Sequence, residues 1–172
     1  MKTHILSLAF AAALIATPAI AREYAAIPGP DFAKIVAGSD DYEIATSRLA
    51  MKRSHNAAVR NIAQHMIADH THSSAVLKSV LVSENIDVAP ARLDAEHQQK
   101  FDDLKATSAK NFDYQYLADQ LAAHRQAIGL FQTYYRSGTD AGLRNFAGKT
   151  LPTLHHHEDM VNKQLMKMPH GW

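Results

Sequence analysis

The chain contains no cysteine, which removes disulfide frameworks, thiolate nucleophiles, cysteine-ligated zinc and iron–sulfur clusters. It also lacks a Gly-x-Ser-x-Gly turn, a phosphate-cradling glycine loop, a His-Glu-x-x-His helix and a dinucleotide fingerprint, so no hydrolase or transferase machinery can be assembled from its motifs. Neither sign of charge dominates: 18 Lys plus Arg stand against 17 Asp plus Glu. Without a basic excess there is no electrostatic footprint for nucleic acid, and none is expected as a partner. Strict apolar/polar alternation is missing too, and with it any strand signal.

What is present begins with an export leader. Lys2 and His4 form a short basic start, Ile5 to Ala16 is an apolar run, and Pro18 precedes Ala19-Ile20-Ala21, small at both outer positions as a signal peptidase requires. The run is shorter than the about 20 residues that a spanning helix needs. Residues 1–21 are therefore expected to be cut after Ala21, leaving residues 22–172 as one domain in the periplasm without a transmembrane span. Attachment to the outer membrane, an envelope partner and a homo-oligomer all stay open, although the absence of cysteine rules out a lipobox.

Helical periodicity fills the rest. Apolar residues recur every three or four positions over roughly Asp31–Ser54, from Asn56 to about Glu84, from Asn111 to Arg136, and from Asp140 to before Pro169, with a short helix near Asp94–Ala106. A bend is expected at Gly38-Ser39, where Asp40 could cap a restart, and a kink at Pro152. Four long helices, two tight hairpins and a long middle connection predict an all-α, ferritin-like four-helix bundle with a short extra helix in the crossover. An irregular five-helix array is the alternative.

The unusual count is histidine, 11, of which only His4 falls in the leader. A helix puts positions i, i+3, i+4 and i+7 on one face. Glu43 falls in the stripe of Phe32, Ile35, Val36, Tyr42, Leu49 and Ala50, and His70 in that of Val59, Ile62, Met66, Leu77 and Val80. His124 sits in the stripe of Leu117, Leu121, Ile128, Phe131 and Tyr135. His157 flanks the stripe of Leu143, Ala147, Leu154, Val161 and Leu165. At about 1.5 Å of rise per residue, Glu43 and His70 each lie about 20 Å from the first hairpin, and His124 the same distance from the second. His157 lies roughly one turn further on.

One carboxylate and three imidazoles at mid-bundle make a ligand set for iron, zinc or copper, and Asp69, Asp113 and Glu158 are the acceptors expected to steady the outer imidazole nitrogens. The bland reading is that these side chains simply hydrogen-bond one another, Glu43 pairing with His70 or His124. His155-His156-His157 cannot chelate one ion together, because consecutive helical residues point about 100° apart. The tail Met166-Lys167-Met168-Pro169-His170 offers soft donors of a kind copper accepts, but packing or a frayed end explains it equally.

Phe32 with Glu43…Leu49-Ala50, the run Ala63-Gln64-His65-Met66-Ile67-Ala68-Asp69-His70, Phe112-Asp113-Tyr114-Gln115-Tyr116 followed by His124, and Leu151-Pro152-Thr153-Leu154-His155-His156-His157 together resemble the domain of unknown function 4142 family, exported bacterial proteins placed among ferritin-like folds. The resemblance covers essentially the whole mature chain. It implies that Glu43, Asp69, His70, Asp113, His124 and His157 are motif positions, and it implies no activity. True ferritins use Glu-x-x-His on each of two helices, and neither copy is present here. Two function classes remain: a periplasmic metal-binding bundle, and a metal-free envelope or stress-related interaction protein whose polar core fixes helix register.

Overall fold

In the computed structural model, residues 27–88 and 93–168 are described; the leader, Ala89-Pro90 and the Pro169-His170 end of the tail lie outside them. Five helices follow in order: α1 Gly29–Arg53, α2 Ala57–Ser83, α3 Ala95–Ala106, α4 Phe112–Ser137 and α5 Ala141–Leu165. The described residues contain no strand. Local chemistry sets the boundaries. Asn56 Oδ1 accepts from the Ala58 and Val59 amides and starts α2, and Asp94 accepts from the His97 amide and starts α3, each satisfying an orphan helix donor. Asn85 stops α2 in a left-handed conformation (φ 53°), with the Ile86 amide reaching back to the Leu81 carbonyl in the manner of a Schellman closure.

The four long helices form a ring in which α1 touches α2 and α4, and α5 touches α2 and α4. Contacts along the seams show that all four neighbouring pairs are antiparallel: Ser47 meets Tyr116 near one end of α1 and α4, while Phe32 meets Tyr134 near the other. The order is thus up-down-down-up. α2 ends and α4 begins at opposite ends of the bundle, and α3, which lies between them in the chain, packs against α1 and α4. This is the expected ferritin-like bundle with its extra crossover helix. Arg53 fastens the crossover, donating to the carbonyls of Lys105 (2.8 Å) and Thr107 (2.7 Å) while its guanidinium stacks on Phe112.

Two apolar clusters fill the interior. The lower one, at the α1–α2 hairpin, joins Ala50, Val59, Ile62, Ala63, Met66, Leu104, Phe112, Tyr116, Leu117, Leu121 and Val161. The upper one, at the α4–α5 hairpin, joins Phe32, Val36, Leu77, Ile128, Phe131, Tyr134, Leu143, Phe146 and Leu154 with two alanines. Polar side chains occupy the layer between.

Two expectations change. α1 runs unbroken through Gly38-Ser39, because Asp40 is taken by a tertiary partner on α2 instead of by a local cap. Ile35 and Tyr135 are 48% and 54% exposed. Tyr134 takes the core position, stacking on Phe32 at 3.9 Å between ring centroids and donating to Asp140 Oδ2 at 3.1 Å. α5 runs as one helix with Pro152 inside it, on an exposed face.

Candidate metal centre

The buried residues of α2, Val59, Ile62, Ala63, Met66, His70 and Leu77, keep the three-four spacing of one helix face, and that face carries His70 inward. Leu117, Gln120, Leu121, His124, Ile128 and Phe131 do the same on α4, and Leu143, Phe146, Ala147, Leu154, His157 and Val161 on α5. The three rings meet between the apolar clusters at 6%, 1% and 1% exposure. Their centroids are 5.5 Å (His70–His124), 5.5 Å (His70–His157) and 5.2 Å (His124–His157) apart. One nitrogen from each ring lies within 4.8 Å of the other two.

Each ring is held from outside by a group that can only accept. His70 Nδ1 lies 2.8 Å from Asp40 Oδ1, and Ser74 Oγ donates to the other oxygen of that carboxylate at 3.0 Å. His157 Nε2 lies 2.8 Å from Asp69 Oδ2. His124 Nδ1 lies 2.9 Å from the Gln120 carbonyl. The N–H of every ring must therefore point outward, so each neutral ring turns a bare lone pair inward. Two of these lone pairs, His124 Nε2 and His157 Nδ1, face each other at 3.2 Å. The third, His70 Nε2, is buried without a partner. Three acceptors converge with no donor among them.

Burial, aided by the charge of a protonated His70, pulls His124 down to about 3. Burial also lowers His157, against the opposing hydrogen bond to Asp69. For His70 burial works in the same direction, but the Asp40 hydrogen bond and the charges of Glu43, Asp40 and Asp69 outweigh it and move it up. A proton in this layer would sit on His70.

Glu43 is as buried as the histidines, yet its carboxylate lies on the far side of His124, 3.9 Å from Nδ1, the nitrogen facing away from the cluster. Burial pushes it up to about 7, only partly relieved by His70 and by a hydrogen bond from Gln120. With His124 neutral, the 3.9 Å approach is not an ion pair. Gln120 Nε2 also donates to Thr46 at 3.2 Å, so Glu43, Gln120 and Thr46 form a polar strip along the α1–α4 seam.

The seven sequence-derived positions thus separate. His70, His124 and His157 come together, and Asp69 holds His157 from a half-exposed position. Glu43 stands behind His124. Asp113 sits in the first turn of α4, about 16 Å along the helix from His124, in a different depression with Asn56 and Lys110. Glu158 turns outward and accepts from Arg125 Nε at 3.1 Å. Sequence reasoning missed Asp40 and the Gln120 carbonyl. Asp40 had a signal: it precedes Glu43 by three residues and so shares its inward face. The backbone carbonyl had none.

A polar histidine layer inside an up-down-down-up helical bundle is the class that fold and site define. A solved structure shares that fold: the crystal structure of a DUF305 fragment from Deinococcus radiodurans, with TM-score 0.69 and 12% identity over 80% of this chain and 94% of that one. No curated protein matches. The family described as "Domain of unknown function (DUF4142)" matches residues 16–164, and the chain belongs to it.

Proposed function

We propose that this protein is an exported, periplasmic bundle that binds one transition-metal ion between His70, His124 and His157. The observation that carries this reading is the inward convergence of three imidazole lone pairs with no donor among them. Two acceptors at 3.2 Å repel unless something electron-poor lies between them, and a metal ion answers all three nitrogens at once. The outer partners Asp40, Asp69 and Gln120 fix ring tautomer and orientation, as acceptors behind metal-bound histidines do.

Zinc–imidazole bonds of about 2.0–2.1 Å put tetrahedral ligand nitrogens about 3.3 Å apart, a spacing the His124–His157 pair already has. Three neutral imidazoles suit zinc or copper better than iron, whose bundle sites are rich in carboxylates. Among the described residues no helix is long and apolar enough to cross a membrane.

Elemental analysis and metal titration of the untagged chain, prepared without chelator, test the reading. One equivalent of zinc or copper, lost in His124→Ala, is the expected result; a metal-free protein that takes up neither ion overturns it. A second reading rests on the unpartnered His70 Nε2: an extra proton there answers the lone pairs facing it, and the layer only sets helix register in a metal-free interaction protein with an envelope partner. In that case His124→Ala loses about 1–3 kcal/mol of stability through unpaired polar groups and changes no metal affinity.

A further inference from the structure

From the level of Tyr42, Asp69 and Asp119 beside the histidine layer up along the upper cluster, a cleft of about 750 Å³ runs into the bundle. Its walls include Val36, Phe131, Phe146 and Leu154 from the upper apolar cluster and no residue of the lower one. Protein interiors are packed with few voids larger than a water molecule, whereas clefts of about 300–1,000 Å³ with apolar walls and a few convergent polar groups are the usual form of a small-molecule site. Along its α4 wall the lining side chains are short, Ala122, Ala123 and Ala127, on the flank of the helix beside its buried face.

The inner end is chemically specific. His70 and His157 line the cleft and His124 does not. His70 Nε2 is a buried nitrogen without a hydrogen-bond partner, on a residue only 6% exposed. Around the cleft, Asp40, Asp69, Asp94, Glu96 and Asp119 outnumber Lys100 and Lys149, and Lys100 is committed to Glu96 at 2.6 Å. That excess of acid disfavours anions.

We propose that the cleft binds a small, mainly apolar molecule carrying one neutral nitrogen base, the nitrogen completing the coordination of the metal and the apolar body lying against Phe131, Phe146 and Leu154. This rests on the metal reading. Three protein ligands leave a tetrahedral ion one position short, and the cleft is the open side of the cluster.

The test uses the full chain loaded with cobalt(II), whose visible spectrum reports added ligands. Imidazole, 4-phenylimidazole and benzoate are titrated in turn. The expected result is a spectral change with 4-phenylimidazole at a concentration about tenfold or more below that needed for imidazole, because the phenyl ring leaves water, and none with benzoate. Ala127→Trp on α4 and Val76→Phe on α2, made separately so that one folded variant suffices, should keep cobalt stoichiometry and erase the preference for the phenyl compound. Equal affinity for the two azoles, binding of benzoate, or a preference that survives filling of the cleft overturns the inference while leaving the metal site standing. Failure to take up cobalt overturns the metal reading and this inference with it.

Discussion

The two ends of the bundle are built from the same residue types and packed to different purposes. At the lower end Met66, Leu104, Leu117 and Val161 are fully enclosed and Tyr116 closes the layer through Ser47 Oγ at 2.9 Å. At the upper end ten further hydrophobic residues pack only partly buried against the core, and four of them, Val76, Val80, Ala127 and Leu130, line the cleft. The lower end therefore supplies stability and the upper end supplies room. The histidine layer lies on the boundary, with a rigid floor beneath it and open volume above.

The sharpest way to break this comparison is to truncate leucines on both sides of the boundary. Leu117→Ala, in the closed end, should cost about 2–5 kcal/mol, because little can collapse into the hole. Leu130→Ala, on the cleft wall, should cost under about 1 kcal/mol, since that side chain already borders open space. Urea unfolding measures both, and equal losses would mean that the two ends are packed alike.

The next effect in size concerns the boundary itself. Folding moves Glu43 from 4.5 to about 7, so the folded state holds a proton that the unfolded chain releases. The sign follows from linkage: stability falls as pH rises from about 4.5 to about 7 and stays lost above, by at most about 3 kcal/mol. Glu43→Gln imitates the neutral acid and removes this loss. The variant should thus gain on the parent between pH 5 and pH 8 in urea melts. A constant difference across that range would show that Glu43 is ionised throughout, held by a partner.

Asp40→Asn should act on metal affinity more than on the fold. The amide cannot accept from His70 Nδ1 with the strength of a carboxylate, and loss of such a partner behind a ligand typically weakens metal binding about 10–100-fold. Competition titration against a chelator dye reads it, and unchanged affinity would place His70 outside the ligand set. This residue also shows where sequence reading reached its limit. Helix count, hairpins, crossover and three converging histidines follow from three-four periodicity and rise per residue, because those are local quantities. Asp40 beside Gly38-Ser39 carries an equally local signal for a helix start, and only the α2 surface 30 residues away decides that its carboxylate turns inward instead. Tyr134 and Tyr135 differ for the same reason: adjacent positions flank the stripe, and a stacking partner on α1, Phe32, selects one. Glu43 shares both the face and the height of the histidines, yet which side of His124 it occupies depends on the rotation of α1 against α4, a tertiary quantity.

The smallest effect is the most direct test of unequal packing, because it adds atoms instead of removing them. Ala63, fully buried in the lower cluster, has no room beside it, so Ala63→Leu must displace neighbours and should cost about 1–3 kcal/mol. Ala127 is only partly buried and lines the cleft. Ala127→Leu adds apolar surface in space that is already open, and should change stability by no more than about 1 kcal/mol, in the stabilising direction. The difference in sign carries the argument. Helix propensity favours alanine slightly over leucine at both sites, so it cancels from the pair and leaves packing alone. Destabilisation at both positions by similar amounts would mean that the cleft closes in solution; opposite signs would show the volume above the histidines to be a standing feature of the fold.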